Sequence, residues 1–158
     1  PAIPGQDLSL TPTSGPISQI AGFLDNTTKT RAIFEINKGV NKTVNISVND
    51  SIEDEKRRVP FQNMIYIADG PSDIPSFSVV KGNGGLAFAV YDPNVPGHDG
   101  QALDLQEAKR VDHYGSADYR PGTETNRWFK LQVERIAQRI KEKRDQAIRK
   151  SVTPAPSH

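Results

Sequence analysis

Met64-Ile65-Tyr66-Ile67-Ala68 is a continuous apolar run closed at once by Asp69-Gly70-Pro71. A run this short, bounded by turn residues, has the pattern of a strand buried on both faces, where no alternation with polar residues is needed. After the turn, Ser72 or Asp73 can cap a helix, and Pro75 is tolerated in its first turn because the N–H it lacks would have had no partner there. Ile74, Phe77, Val79 and Val80 give that helix an apolar face, and Gly82-Asn83-Gly84-Gly85 ends it. Leu86 to Tyr91 is a second apolar run. Strand, turn, helix, turn, strand is a βαβ crossover, which requires the two strands to be parallel. The chain is therefore expected to be α/β with a parallel sheet.

Around this unit the sequence predicts flanking helices. Ala32, Ile33, Ile36 and Val40 recur at helical spacing, with Thr28 available as N-cap and Gly39 as the stop. Asn41 to Arg58 is polar and reads as a surface segment. Asp92 to Pro121 reads as loop, with a short helix around Leu103 to Arg110. From Thr123 to about Lys150, Phe129, Val133, Ile136, Ile140 and Ala147 describe a long amphipathic C-terminal helix. Residues 1–18 mix Pro, Gly, Ser and Thr and read as an irregular lead-in, 19–150 as one α/β domain, and 151–158 as a disordered tail.

The 158 residues suit a single domain with a real core. With no cysteine, disulfides and thiolate metal sites are excluded. The apolar runs fall short of the roughly eighteen residues a membrane span needs, so no membrane association is expected. Asn26-Thr27-Thr28, Asn41-Lys42-Thr43 and Asn45-Ile46-Ser47 match the glycosylation pattern, but no secretory h-region accompanies them, and a cytoplasmic location is expected. The formal net charge of +1 argues against a global field that would draw nucleic acid. Basic residues concentrate instead in the last helix, from Arg127 to Lys150, with Glu134, Glu142 and Asp145 interspersed. That pattern is expected to be a solvated face. His98, His113 and His158 have no metal-ligand spacing and are expected to be isolated surface histidines.

In an open parallel sheet, ligands bind beyond the carboxyl ends of the strands, and the first strand delivers Asp69 and Asp73 to that edge. Two carboxylates there suit a hard cation such as Mg2+, which takes oxygen ligands, keeps several waters and can share a substrate phosphate. The helix beginning beside Ser72 adds free backbone N–H groups that an anion can use. Spacing alone also allows a bland alternative: Asp69-Gly70 as a turn and Asp73 as a helix cap.

The stretch Ile65 to Phe77, read as a strand followed by a GDGxND-like turn, resembles the fourth motif of the haloacid dehalogenase-like (HAD) phosphatases. Lys29-Thr30-Arg31-Ala32-Ile33-Phe34-Glu35-Ile36 resembles their third motif, where a lysine opens the helix before that strand. Together the two cover roughly residues 28 to 92. The resemblance implies a partial Rossmann-like, HAD-like sheet. It further implies Asp69 as a Mg2+ ligand, Asp73 as a second residue of the metal site or the group that orients the lysine, and Lys29 as the catalytic cation that neutralises the phosphoryl group. Gly70 and Ser72 would shape the turn around the phosphate, with Ser72 standing for the usual asparagine and Ala68 for the usual glycine. The family's nucleophile, the first aspartate of a DxDxT motif, has no counterpart here. The resemblance therefore implies the C-terminal part of a Mg2+-dependent hydrolase of small phosphate monoesters, completed by an N-terminal half of the core. A second reading is a catalytically inactive HAD-like module that binds or assembles through its basic C-terminal helix. Loss of the nucleophile strand would leave the edge of Met64 to Ala68 bare unless a segment such as Ile17 to Leu24 covered it.

Overall fold

The computed structural model describes residues 25–40 and 42–151. The lead-in 1–18, the segment Ile17 to Leu24 and the tail beyond Ser151 lie outside the described residues. Three strands, β1 (Ile65–Ala68), β2 (Leu86–Tyr91) and β3 (His113–Ser116), form one sheet in the order β1-β2-β3. Both pairings are parallel: Ile65 sits opposite Leu86 and Ala68 opposite Ala89, while Phe88 sits opposite His113 and Tyr91 opposite Ser116. The helices are α1 (Asn26–Lys38), α2 (Ile74–Gly82), α3 (His98–Glu107) and α4 (Glu124–Ser151). The chain is thus a mixed α/β protein with a small parallel sheet and a long C-terminal helix.

Alternation along the strands separates two layers. On one face Ala87 and Ala89 of β2 are buried with Phe77 of α2, Ala102 and Leu105 of α3, and Val111, and Tyr66 and Ala68 of β1 pack against this cluster. On the other face Phe88 is fully buried, its ring 4.8 Å from that of Trp128 and 4.7 Å from that of Phe129, both on α4. The small alanines on the first face let two helices approach the sheet closely, whereas the second face is filled by aromatic rings.

α1 does not lie on the sheet directly. Its Ile33 packs with Phe61 and Val80 in a smaller cluster, so α1 rests on α2 and on the segment leading into β1. Asn37 of α1 is buried without being orphaned, donating from Nδ2 to the Val59 carbonyl at 2.8 Å and accepting from Arg57 at 3.2 Å. Asp25, rather than Thr28, is the N-cap of α1. Its carboxylate accepts from the Thr28 N–H at 2.6 Å, while the Thr28 hydroxyl accepts from the Asp25 N–H at 3.3 Å, a capping box in which Thr28 sits at N3.

Two further expectations are corrected. The span 92–121 is not loop-rich throughout, because it contains β3, and its helix begins at His98 rather than Leu103. His113 is no isolated surface histidine: its ring stacks on Trp128 at 5.7 Å with an interplanar angle of 17°.

The β3–α4 corner is tight. Thr125 is buried and its hydroxyl donates to the Ser116 carbonyl at 2.7 Å. A Cβ on Gly115 would stand 2.7 Å from Thr125 Oγ1 and 3.2 Å from Phe88 Cζ. Gly115→Ala is therefore expected to destabilise the fold by about 1–3 kcal/mol through overpacking. Urea unfolding should show the midpoint falling at constant slope, and an unchanged midpoint would mean that the corner is looser than these distances imply.

Candidate functional site

The capped first turn of α1 aims Lys29 at the carboxyl end of β1. There the chain passes through Asp69 and Gly70 into a single 3-10 turn, Pro71–Asp73, before α2 begins. Asp73 precedes α2 but makes no side-chain cap. Its carboxylate turns inward, with the residue 2% exposed. Lys29 Nζ donates to Asp73 Oδ1 at 3.0 Å and to Oδ2 at 3.1 Å, the Tyr66 hydroxyl donates to Oδ1 at 2.6 Å, and the Ser72 hydroxyl donates to Oδ2 at 3.2 Å. Four contacts occupy both oxygens, as a buried carboxylate requires.

Burial pushes the Asp73 carboxyl up, but the hydrogen bonds from Tyr66 and Lys29, the Lys29 charge and the Ser72 hydroxyl outweigh it and hold the group below the ordinary carboxylate value. The same geometry moves Tyr66 the other way. Burial, then its hydrogen bond to Asp73, against an opposing contribution from Ser76, push the phenol up to about 12. Asp73 is thus an anion and Tyr66 a neutral donor at neutral pH.

Asp69 differs from Asp73 in burial and in partners. It is exposed, and it takes part in none of the ion pairs among the described residues. A cavity of about 570 Å³ runs along the edge of β1 and brings Asp69 together with Lys29, Ile33, Ile36, Ile65 and Ile67. That edge of β1 carries no partner strand among the described residues. Gly70 has φ −156°, ordinary extended backbone, and a Cβ there would meet nothing within 4 Å, so the turn leaves its backbone open rather than crowded.

Of the residues singled out in the sequence, Lys29, Ser72 and Asp73 are joined by hydrogen bonds, and Lys29, Asp69 and Asp73 line one cavity. Among the described residues no group of three or more His, Asp or Glu side chains converges as a ligand set. A Mg2+ ion that keeps most of its waters needs one or two protein carboxylates, and the exposed Asp69 fits that demand. Asp73 fits the orienting role better, since both its oxygens already accept donors.

Sequence reasoning passed over Tyr66, although a phenol in an otherwise aliphatic strand needs a partner for its hydroxyl and so signals one; the strand itself is not buried on both faces as expected, because Ile67 is 40% exposed. It also passed over the carboxyl ends of the other two strands. Asp92 follows β2, and Asp118 lies just beyond β3. The two line a separate cleft with Arg120. The Arg120 guanidinium, then its backbone N–H, hold the Asp118 carboxyl down at about 2.

No family model matches the chain, and no solved structure matches it. A curated relative from Borreliella burgdorferi (strain ATCC 35210 / DSM 4680 / CIP 102532 / B31), described as an uncharacterized protein, is 36% identical over 116 residues, which is 72% of this chain and 38% of the relative. The chain thus spans little more than a third of the length of the relative it matches. Among the described residues no helix is long and apolar enough to cross a membrane.

Proposed function

We propose that this chain supplies the metal-binding half-site of a HAD-like phosphohydrolase that acts on small phosphate monoesters. The observation that carries the reading is the Lys29–Asp73 pair, closed at 3.0 Å beside the exposed Asp69 at the carboxyl end of a parallel strand. An ammonium held there and a carboxylate left open are what phosphoryl transfer asks of a protein, since that reaction depends chiefly on positioning and charge neutralisation.

In this reading Asp69 would hold Mg2+, which would supply positive charge against the phosphoryl oxygens. Lys29 neutralises the same group from the side of α1, and Asp73 fixes the direction of the lysine. The nucleophile is an aspartate on a further strand, from a segment outside this chain, that adds along the edge of β1 left without a partner strand among the described residues and fills the apolar cavity beside α1. Its carboxylate attacks phosphorus as the bond from phosphorus to the alcohol oxygen breaks, the leaving oxygen takes a proton from water, and a second water then attacks the acyl phosphate at phosphorus, releasing inorganic phosphate and the free carboxylate.

The test is hydrolysis of p-nitrophenyl phosphate by the protein that joins this chain to its upstream region. Turnover is expected with Mg2+, with loss in EDTA and recovery when Mg2+ is restored. Turnover indifferent to EDTA, or none with Mg2+ present, overturns the reading. A second reading, binding through α4, is favoured by the exposure of Val133 (56%) and Ile140 (47%) among the basic residues of that helix. Salt-sensitive capture of an acidic partner that persists in Asp69→Asn would support it.

A further inference from the structure

Tyr66 is the best-fixed member of the cluster around Asp73. Its ring meets Phe77 edge-on, with centroids 5.6 Å apart and an interplanar angle of 82°, and Phe77 is itself fully buried between α2 and the sheet. Core packing therefore sets the place of the hydroxyl before the turn or the lysine does. Lys29, by contrast, reaches Asp73 on a flexible four-carbon stem from a partly exposed position, and a lysine of that kind goes where its acceptor is held. The Tyr66–Asp73 contact, at 2.6 Å, is shorter than either contact from Lys29, as a hydroxyl donating to a carboxylate should be. Oδ1 is shared by Tyr66 and Lys29, so the direction of one bond limits the direction of the other.

We propose that Tyr66 is a positioning residue, whose hydroxyl, anchored through Phe77, fixes the rotamer of Asp73 and thereby holds the Lys29 ammonium at the carboxyl edge of the sheet. Its catalytic consequence rests on the phosphohydrolase reading; the positioning does not. Without the hydroxyl, Asp73 keeps Ser72 and Lys29 but loses the one donor whose location is set by the core. The carboxylate can then swing with the lysine.

The experiment is Tyr66→Phe, which keeps the ring and its contact with Phe77. The exchange rate of the Lys29 ammonium protons, followed by 15N NMR, is expected to rise at least about tenfold, the scale of one hydrogen bond to a charged group. In the phosphatase assay kcat should fall about tenfold with KM changed less than about twofold, because a misdirected cation costs most when charge develops. Unchanged Lys29 exchange overturns the inference, whatever happens to turnover. Faster exchange in a protein whose unaltered form shows no Mg2+-dependent turnover upholds the positioning and overturns the phosphohydrolase reading. A purely structural role would lower the unfolding midpoint and leave Lys29 exchange in the folded protein where it was. Should Y66F lose its native amide spectrum, the unaltered protein decides: a slowly exchanging Tyr66 hydroxyl proton supports the proposal, and rapid exchange of that proton overturns it.

Discussion

On the proposed phosphohydrolase reading, Asp69→Asn is expected to lower Mg2+-dependent turnover at least about a hundredfold, while moving folding stability by no more than about 0.5 kcal/mol. The two halves of that expectation have different origins. Asparagine is nearly isosteric but neutral, so it keeps an oxygen at the carboxyl end of β1 and removes the charge that attracts a divalent cation. Stability is spared because Asp69 is exposed and forms none of the ion pairs among the described residues. Titration with Mg2+ should shift the amide signals around Asp69 and Gly70 in the unaltered protein and leave them in place in the variant. Turnover within about threefold of the unaltered protein would remove Asp69 from the proposed metal site. Asp73→Asn would be a poorer probe of the metal. It disturbs a buried carboxylate with four donor contacts, so lost activity there could not be separated from a displaced Lys29.

What the sequence made legible follows the strength of local pattern. β1, α2 and β2 are apolar runs broken by Asp-Gly-Pro and Gly-Asn-Gly-Gly, and chain-local signals suffice for them. The same holds for α4, whose apolar positions recur over many turns. β3 was lost because His113-Tyr114-Gly115-Ser116 is short and half-buried, with no apolar run. It is a strand because β2 offers it a ladder and α4 covers it, and neither fact is local. α3 begins early because Gly97, at φ 84°, turns the chain into a helix whose first residues, His98-Asp99-Gly100, carry no apolar periodicity. At the site, Lys29 and Asp73 lie 44 residues apart, and no spacing rule pairs them; their contact comes from the docking of α1 on α2. Tyr66 was hidden by its own strand, in which a tyrosine counts as one more apolar residue until its hydroxyl is asked for a partner.

Phe88→Ala is expected to cost about 3–5 kcal/mol, the range for removing a buried aromatic ring whose surroundings cannot fully collapse. Phe88 is fully buried in the central strand, and its ring touches Trp128, Phe129 and His113. Collapse is hindered on every side: β1 and β3 fix the backbone of β2 through their ladders, and Gly115 has no side chain to move into the space. The loss would also be felt beyond the core. α4 meets the sheet through its first turns, where Thr125, Trp128 and Phe129 lie, whereas farther on Val133 and Ile140 are exposed and the helix is held to the segment before β1 by Arg139 and Lys143 at Gln62. Removing the Phe88 ring takes away the surface on which those first turns sit, so amide exchange in residues 125–135 should accelerate more than exchange in α2, which packs on the opposite face. Denaturant unfolding measures the total, and site-resolved hydrogen exchange measures where it falls. A loss below about 1 kcal/mol, or exchange that accelerates equally in α2 and α4, would mean that α4 is not seated on Phe88. The exposed Val133 and Ile140 would then belong to a helix free to move, and the division of the core into an alanine-lined face and an aromatic face would have to be abandoned.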